Sequence, residues 1–223
     1  MQKHILAATL FATSPLLATA EELPISANLT IASDYAFRGI SQTDQRPAIQ
    51  GGFDYAHGSG LYVGTWASNI SDGTAGIETN LYGGYAFELG PVGVDAGLLR
   101  YYYPGSLASA NTTEAYVGLT WEFLSFTYSH ALTDAFGMEK SKGSKYYALG
   151  GSYEILEGLS LDAHYGWSRF RGAGNSSANY DDWSLGLTQS YGGFDFGLHY
   201  VDTDISNDRL ADERFILSVG KSF

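Results

Sequence analysis

The chain of 223 residues has no cysteine. Disulfides and thiolate metal sites are therefore excluded, even for a protein that leaves the reducing cytoplasm. Methionine occurs only twice and proline five times. Basic residues are scarce: 12 Lys and Arg stand against 24 Asp and Glu, a formal net charge of −12. A chain this acidic has no electrostatic footing for nucleic acid, which is excluded as a partner. Long hydrophobic runs are also missing. The run Ile5 to Leu17 has 13 residues and is broken by Ser14-Pro15, whereas a membrane helix needs about 20. Lys3-His4 before it and Ala18-Thr19-Ala20 after it match a secretory signal. Residues 1–20 are expected to be cleaved off, leaving residues 21–223 as one domain. Cleavage removes Lys3 and no acid, so 11 bases then face 24 acids, a net −13.

Glycine (28) and tyrosine (17) are abundant, a loading unusual for a helical domain. The end of the chain, Arg214 to Phe223, places Phe215, Leu217, Val219 and Phe223 on one face of an extended strand and Ser218, Gly220 and Ser222 on the other. Such a strand suits a barrel with lipid outside and a polar lumen inside. Phe223 at the terminus resembles the assembly signal that outer-membrane proteins present to the barrel-assembly machinery, although Lys221 stands where a second aromatic is usual. Eleven earlier segments alternate with the same period. Examples are Ile77 to Phe87 with Glu78 and Asn80 opposite, Leu159 to Trp167 with Asp162 and His164 opposite, and Phe194 to Tyr200 with Asp195 and His199 opposite. The facing is ambiguous for residues 61–69 and 123–131. The expected fold is all-β: a transmembrane antiparallel up-and-down β-barrel of about 12 strands.

The connections alternate long and short. Gly39–Pro47, Ser71–Gly76, Pro104–Thr112, Ala131–Ser144, Arg169–Asn179 and Asp202–Asp212 are long, while those between them shrink to turns such as Glu122-Phe123. External loops and periplasmic turns have this pattern, and a bacterial outer-membrane location follows. Aromatics at the strand ends form two expected girdles: Tyr35, Phe37, Tyr165, Trp167, Trp183, Tyr200 and Phe215 near the long loops, and Phe53, Tyr55, Tyr85, Phe87, Trp121, Tyr153, Phe194 and Phe223 near the short turns. Of the bases beyond residue 20, only Lys221 is near the short-turn rim. The others lie in or beside long loops, placed to pair with lipopolysaccharide phosphates or simply to be solvated. Inward-facing acids outnumber inward bases. Asp34, Asp54, Asp95, Asp162 and Asp195 are the candidate pore-lining residues, with Glu78 and Glu114 on the same face and only Arg38, His164 and His199 as counter-charges.

Enzyme signals are sparse. His130 beside Ser129, His164 near Ser160 and Ser168, and His199 are the candidates for a lipid hydrolase, and none sits in a nucleophile motif. Asp162-x-His164 is a two-ligand fragment, too little for a metal site. No catalytic residue, cofactor or metal is expected. The segments Ser33-Asp34-Tyr35-Ala36-Phe37-Arg38-Gly39-Ile40-Ser41-Gln42, Pro47 to Tyr55 and Gly60 to Ile70 resemble the TorF porin family, also filed as the Gcw_chp group of bacterial proteins. The resemblance is strongest over residues 26–88. It implies a proteobacterial outer-membrane barrel and no particular chemistry. The function expected is a narrow passive channel for small solutes or ions, cation-preferring. The alternatives are a closed structural or adhesive barrel acting through its loops and, behind it, a lipid hydrolase. Tyr116 and His164, with Tyr62 and Trp66, would partly fill the lumen.

Overall fold

The structure, a computed structural model, describes residues 24–71, 75–106 and 110–223. The expected signal segment lies outside the described residues. In chain order the strands are β1 (Ile25–Ala32), β2 (Ala36–Phe37), β3 (Ile40–Ser41), β4 (Ala48–Ala56), β5 (Leu61–Asn69), β6 (Ile77–Leu89), β7 (Val92–Tyr102), β8 (Thr112–Trp121), β9 (Leu124–Ala131), β10 (Lys145–Leu156), β11 (Leu159–Arg169), β12 (Tyr180–Tyr191), β13 (Phe194–Thr203) and β14 (Arg214–Ser222). β2 and β3 pair only with each other. The remaining twelve form a closed antiparallel barrel, each next to its neighbour in sequence, with β14 returning to β1. No described helix is long and apolar enough to cross a membrane; a barrel crosses with strands and leaves no edge unpaired.

Short turns set the register at one end. Gly192 and Gly193 link β12 to β13 with φ of 62° and 77°, the pair of left-handed residues that a type I′ hairpin needs. The barrel closes where Asn28 opposes Ser222 and Ala32 opposes Ser218. Beyond the last strand, the Phe223 N–H donates to the Ala27 carbonyl at 2.8 Å and the Ala27 N–H to the Phe223 carbonyl at 3.1 Å.

The alternation resolves into an apolar outside and a polar inside. Ile49, Leu81, Leu98, Leu149, Leu185 and Leu217 are exposed on the outer surface, as the period-2 pattern requires. All eight aromatics expected near the short turns are exposed there. The two ambiguous strands are settled. On β5, Leu61 and Val63 face out while Tyr62, Gly64, Trp66 and Ser68 face in. On β9, Leu124 and Phe126 face out with His130, and Ser125, Thr127 and Ser129 face in.

One expectation fails. Tyr35 and Phe37, read as continuing the outward face of the first strand, are buried inside the barrel. The strand stops at Ala32. Beyond Ser33 the Asp34 carboxylate accepts from the Ser41 and Thr43 hydroxyls at 2.7 Å each and from Arg214 Nε at 2.6 Å. These bonds turn the chain inward, so the aromatics that follow enter the lumen instead of the outer girdle.

Candidate functional site

The first long connection, residues 33–47, forms a strap across the lumen. Its core is the β2–β3 hairpin, turning at Arg38 and Gly39 with φ of 48° and 81°. The strap starts between β1 and β4, and its tip reaches the opposite wall. Arg38 Nη2 meets both Glu114 carboxylate oxygens on β8, at 3.0 and 2.8 Å. The Arg38 guanidinium carbon lies 4.1 Å from the ring centre of Tyr146 on β10 and 4.9 Å from that of Phe37. Gly39 sits so close to β12 and β13 that a Cβ would fall 2.9 Å from the Asp182 Cβ and overlap Thr203, so the tip tolerates only glycine there. Tyr35 donates to Glu78 on β6 at 3.1 Å. Arg214 Nη2 donates to the Gly39 carbonyl at 2.8 Å. Outside the lumen the strap is fastened to other loops: the Ser41 N–H to the Leu210 carbonyl, the Ser71 N–H to the Gln42 carbonyl, and Arg209 to Asp44.

These contacts set the strap's charges. Burial alone would lower the Arg38 pKa, but the adjoining Glu114 carboxylate outweighs it and holds the guanidinium firmly charged. Burial pushes the Tyr35 phenol well above its ordinary value, and Glu78 pushes it further. The hydrogen bond from Arg209 holds Asp44 below the usual carboxylate range.

Beneath the strap, the two sides of the lumen differ. Tyr35, Phe37, Tyr82, Leu99, Tyr101 and Tyr103 pack into one buried cluster, joined by Tyr62, Trp66, Tyr116 and Phe136. The other side, β11 to β14, carries Ser160, Asp162, His164, Thr188, His199 and Ser218. Above it, the loops border an open pocket of about 540 Å³ lined by Ile40, Met138, Phe170, Tyr180, Asp204 and Ile205 among others.

The five candidate acids all face inward or into the strap, and they do not converge. Asp34 holds the strap. Asp54 accepts from the Tyr82 hydroxyl, and Asp95 from the Tyr62 hydroxyl at 2.6 Å, with Tyr116 bonded to Tyr62 in turn. Asp162 accepts from Ser152 and Thr188 at 2.6 Å each and lies 3.2 Å from His199 Nε2. Asp195, near the short-turn end, accepts from Ser190 at 2.5 Å. Asp182, which is not among the candidates, and Arg214, which the sequence groups with the long-loop bases, are both lumen-side. His164 Nε2 lies 2.9 Å from Asp182 Oδ1, and the Tyr146 hydroxyl is 3.1 Å from both Asp182 oxygens. The signal for Asp182 was present, because it neighbours the outward Trp183 and must therefore point inward. Among the described residues no three His, Asp or Glu side chains cluster as metal ligands would.

No curated protein matches the chain. Among solved structures, the KdgM porin in complex with disordered oligogalacturonate is similar over 89% of this chain and 98% of its own, at 9% identity and a TM-score of 0.57. A chain from work on the in-meso crystallization of membrane proteins is similar over 89% of this chain and 83% of its own, at 9% identity and a TM-score of 0.58. Identities this low speak for the fold: a closed barrel of the outer-membrane porin type. One family model, described as a bacterial protein of unknown function, matches residues 18–223, and the chain belongs to that family, Gcw_chp.

Proposed function

We propose that the protein is an outer-membrane, porin-like passive channel for small solutes, with the long loops outside the cell and a bore narrowed by the strap. The observation that carries this reading is the uneven lumen. Aromatic side chains gather on the β5–β8 side. The β11–β14 side, although the strap tip reaches it at Gly39 and Tyr180, Val201 and Ile216 face in, carries more small and polar groups below an open pocket between the outer loops. Twelve strands fall between the filled eight-stranded barrels and the wide channels of 16 to 18. The TorF resemblance agrees with a porin role. Asp54 and Asp95 are bonded by tyrosine hydroxyls, with no base paired to them among the described residues, and a narrow passage focuses such charge. The channel is therefore expected to prefer cations. The oligogalacturonate of the KdgM complex is a polyanion, so that solute does not transfer to this lumen. No enzyme reading is supported. His130 faces outward and Ser129 inward, and His164 and His199 are engaged by Asp182 and Asp162.

The strap, held at both ends, also favours a second reading, a closed structural or adhesive barrel. Planar-bilayer recording on refolded protein with a heat-modifiable gel band separates the two. The channel reading predicts steady conductance with cations more permeant than anions, and a lower ratio when Asp95, Asp162 and Asp195 are replaced by Asn. Anion selectivity would remove the cation assignment. Silence from demonstrably folded protein would leave the closed barrel.

A further inference from the structure

The outer surface carries a feature that a channel does not need. At the long-loop end, three adjacent strands place bases side by side: His130 on β9 opposes Lys145 on β10, and Lys145 opposes Arg169 on β11. All three point outward. One rung lower, Tyr128 opposes Tyr147 and Tyr147 opposes Trp167. The next rung is Phe126, Leu149 and Tyr165. The surface therefore passes from basic to aromatic to apolar within three rungs, the order in which a membrane passes from headgroup to interface to hydrocarbon. Like charges directly opposite across strands are destabilising, so the basic rung calls for an anion.

The protein supplies little of one. Arg169 is paired with Asp181 at 2.7 Å. Lys145 and Arg171 form no ion pair among the described residues. Arg171 leans toward the rung: a Cβ on Gly143 would be 3.2 Å from Arg171 Nη1 and 3.9 Å from His130 Cε1. The outward positions at the same end of β12 and β13 carry Asp181 and Asp202 instead, so the basic rung stops at β11 on that side. On the other, Arg100 of β7 also faces out and donates to the Thr113 hydroxyl at 2.8 Å.

We propose that His130, Lys145 and Arg171, with Arg169 beside them, bind the phosphate of an outer-leaflet phosphoglycolipid of the lipid A class, whose acyl chains lie on the aromatic and apolar rungs below. Phosphate accepts charge-assisted hydrogen bonds from several cations at once. The lipid anchor adds apolar contact that free phosphate lacks. This inference rests on the outer-membrane reading above and is independent of whether the lumen conducts.

The test is native mass spectrometry of the folded full chain in detergent, titrated with bisphosphorylated lipid A, with dephosphorylated lipid A and with inorganic phosphate. Wild type should retain the bisphosphorylated lipid in preference to the dephosphorylated one. The Lys145→Gln/Arg171→Gln double variant should bind it about tenfold more weakly, the loss expected for charged hydrogen bonds, and Lys221→Gln at the far rim should bind as wild type does. Equal binding of both lipids, or an unchanged double variant, overturns the proposal. Displacement by inorganic phosphate at matching concentration would make this a free-phosphate site and overturn the lipid assignment. If the double variant does not fold, the exposed Arg171→Gln single variant and the two-lipid comparison on wild type decide. A heat-modifiable band is scored on every sample. Its absence in wild type breaks the membrane reading, whereas a folded barrel indifferent to phosphorylation breaks only this inference.

Discussion

Between β5 and β8 the lumen wall carries Tyr62, Trp66, Tyr82, Leu99, Tyr101 and Tyr116. Between β11 and β14, across the barrel, it is more polar, with Ser160, Asp162, His164, Thr188, His199 and Ser218 facing in beside Tyr180, Val201 and Ile216. Both walls contain inward glycines, and the glycines serve different neighbours. A Cβ on Gly84 would fall 2.5 Å from the Tyr62 hydroxyl, and one on Gly97 2.5 Å from that of Tyr116. Phenol rings therefore lie across the wall where a neighbouring strand has no side chain, an arrangement known to compensate glycine in sheets. On the other side Gly186 makes room for the His199 ring, which reaches Asp162. The first wall spends its glycines on packing and on holding the strap. The second spends them on a polar network. Seen from outside, the two are alike, because both present alternating apolar residues to their surroundings.

That comparison can be broken at several points. The strap joins the walls through the buried Arg38–Glu114 pair, so its loss should have the largest effect. Arg38→Ala leaves Glu114 buried without its cation, a change that costs about 3–5 kcal/mol. The strap should detach, read as new protease cleavage within residues 33–47 and a rise in single-channel conductance. Intact protection would show that the ion pair does not hold it. Next, charge on the outer face should be equally harmful on both walls. Leu98→Arg on β7 and Leu217→Arg on β14 should each cost about 2–4 kcal/mol near the midplane of a bilayer, measured as folded fraction in lipid against denaturant. A clear difference between them would mean that the two outer faces are not equivalent.

Inside, size should matter according to local space. Gly84→Val overlaps Tyr62 and the Ala96 carbonyl, whereas a Cβ on Gly118 would have no neighbour closer than 3.8 Å. The first should cost about 1–3 kcal/mol as overpacking does; Gly118→Val should stay close to wild type in the same unfolding assay. Smallest is the external clasp. Asp44 has a folded pKa below its unfolded one, so its stabilising contribution is present above the ordinary carboxylate range and is lost as pH falls through the depressed value. Limited proteolysis of the strap should therefore quicken in that acid window, and Arg209→Ala should weaken the pH dependence, with Arg46 still 3.1 Å from Asp44.

The barrel was legible in the sequence because a two-residue period leaves one reading wherever one face is apolar, as in Leu159 to Trp167. It was least legible where both faces carry large side chains. On β5, Leu61 and Val63 compete with Tyr62 and Trp66 for the outside, and only the partners of the aromatics, Asp95 for Tyr62 and the Tyr35 ring for Trp66, decide the matter. The strap was illegible for a related reason. Tyr35 and Phe37 keep the parity of the strand before them. Of the groups that turn and hold the strap inward, Ser41 and Thr43 are local, but Glu78, Glu114 and Arg214 lie far along the chain. Parity puts Asp54, Asp95, Asp162 and Asp195 on the polar faces of their strands, but parity does not say which acid would meet a hydroxyl, a histidine or an arginine.

The seam between β1 and β14 gives the barrel a temporal order. Every other barrel ladder joins strands that follow one another along the chain, with only the β2–β3 strap between β1 and β4, so each can zip as its second strand is delivered. The pairing of Asn28 with Ser222 must wait for the final strand. Loop-closure entropy adds little to that wait, since each doubling of length costs only about 0.6 kcal/mol. The delay has another consequence. Until β14 arrives, β1 and β13 are both exposed edges able to pair with strands of another chain. The interval before closure is thus when this protein is most prone to aggregate, and a chaperone that shields β1 would protect it most.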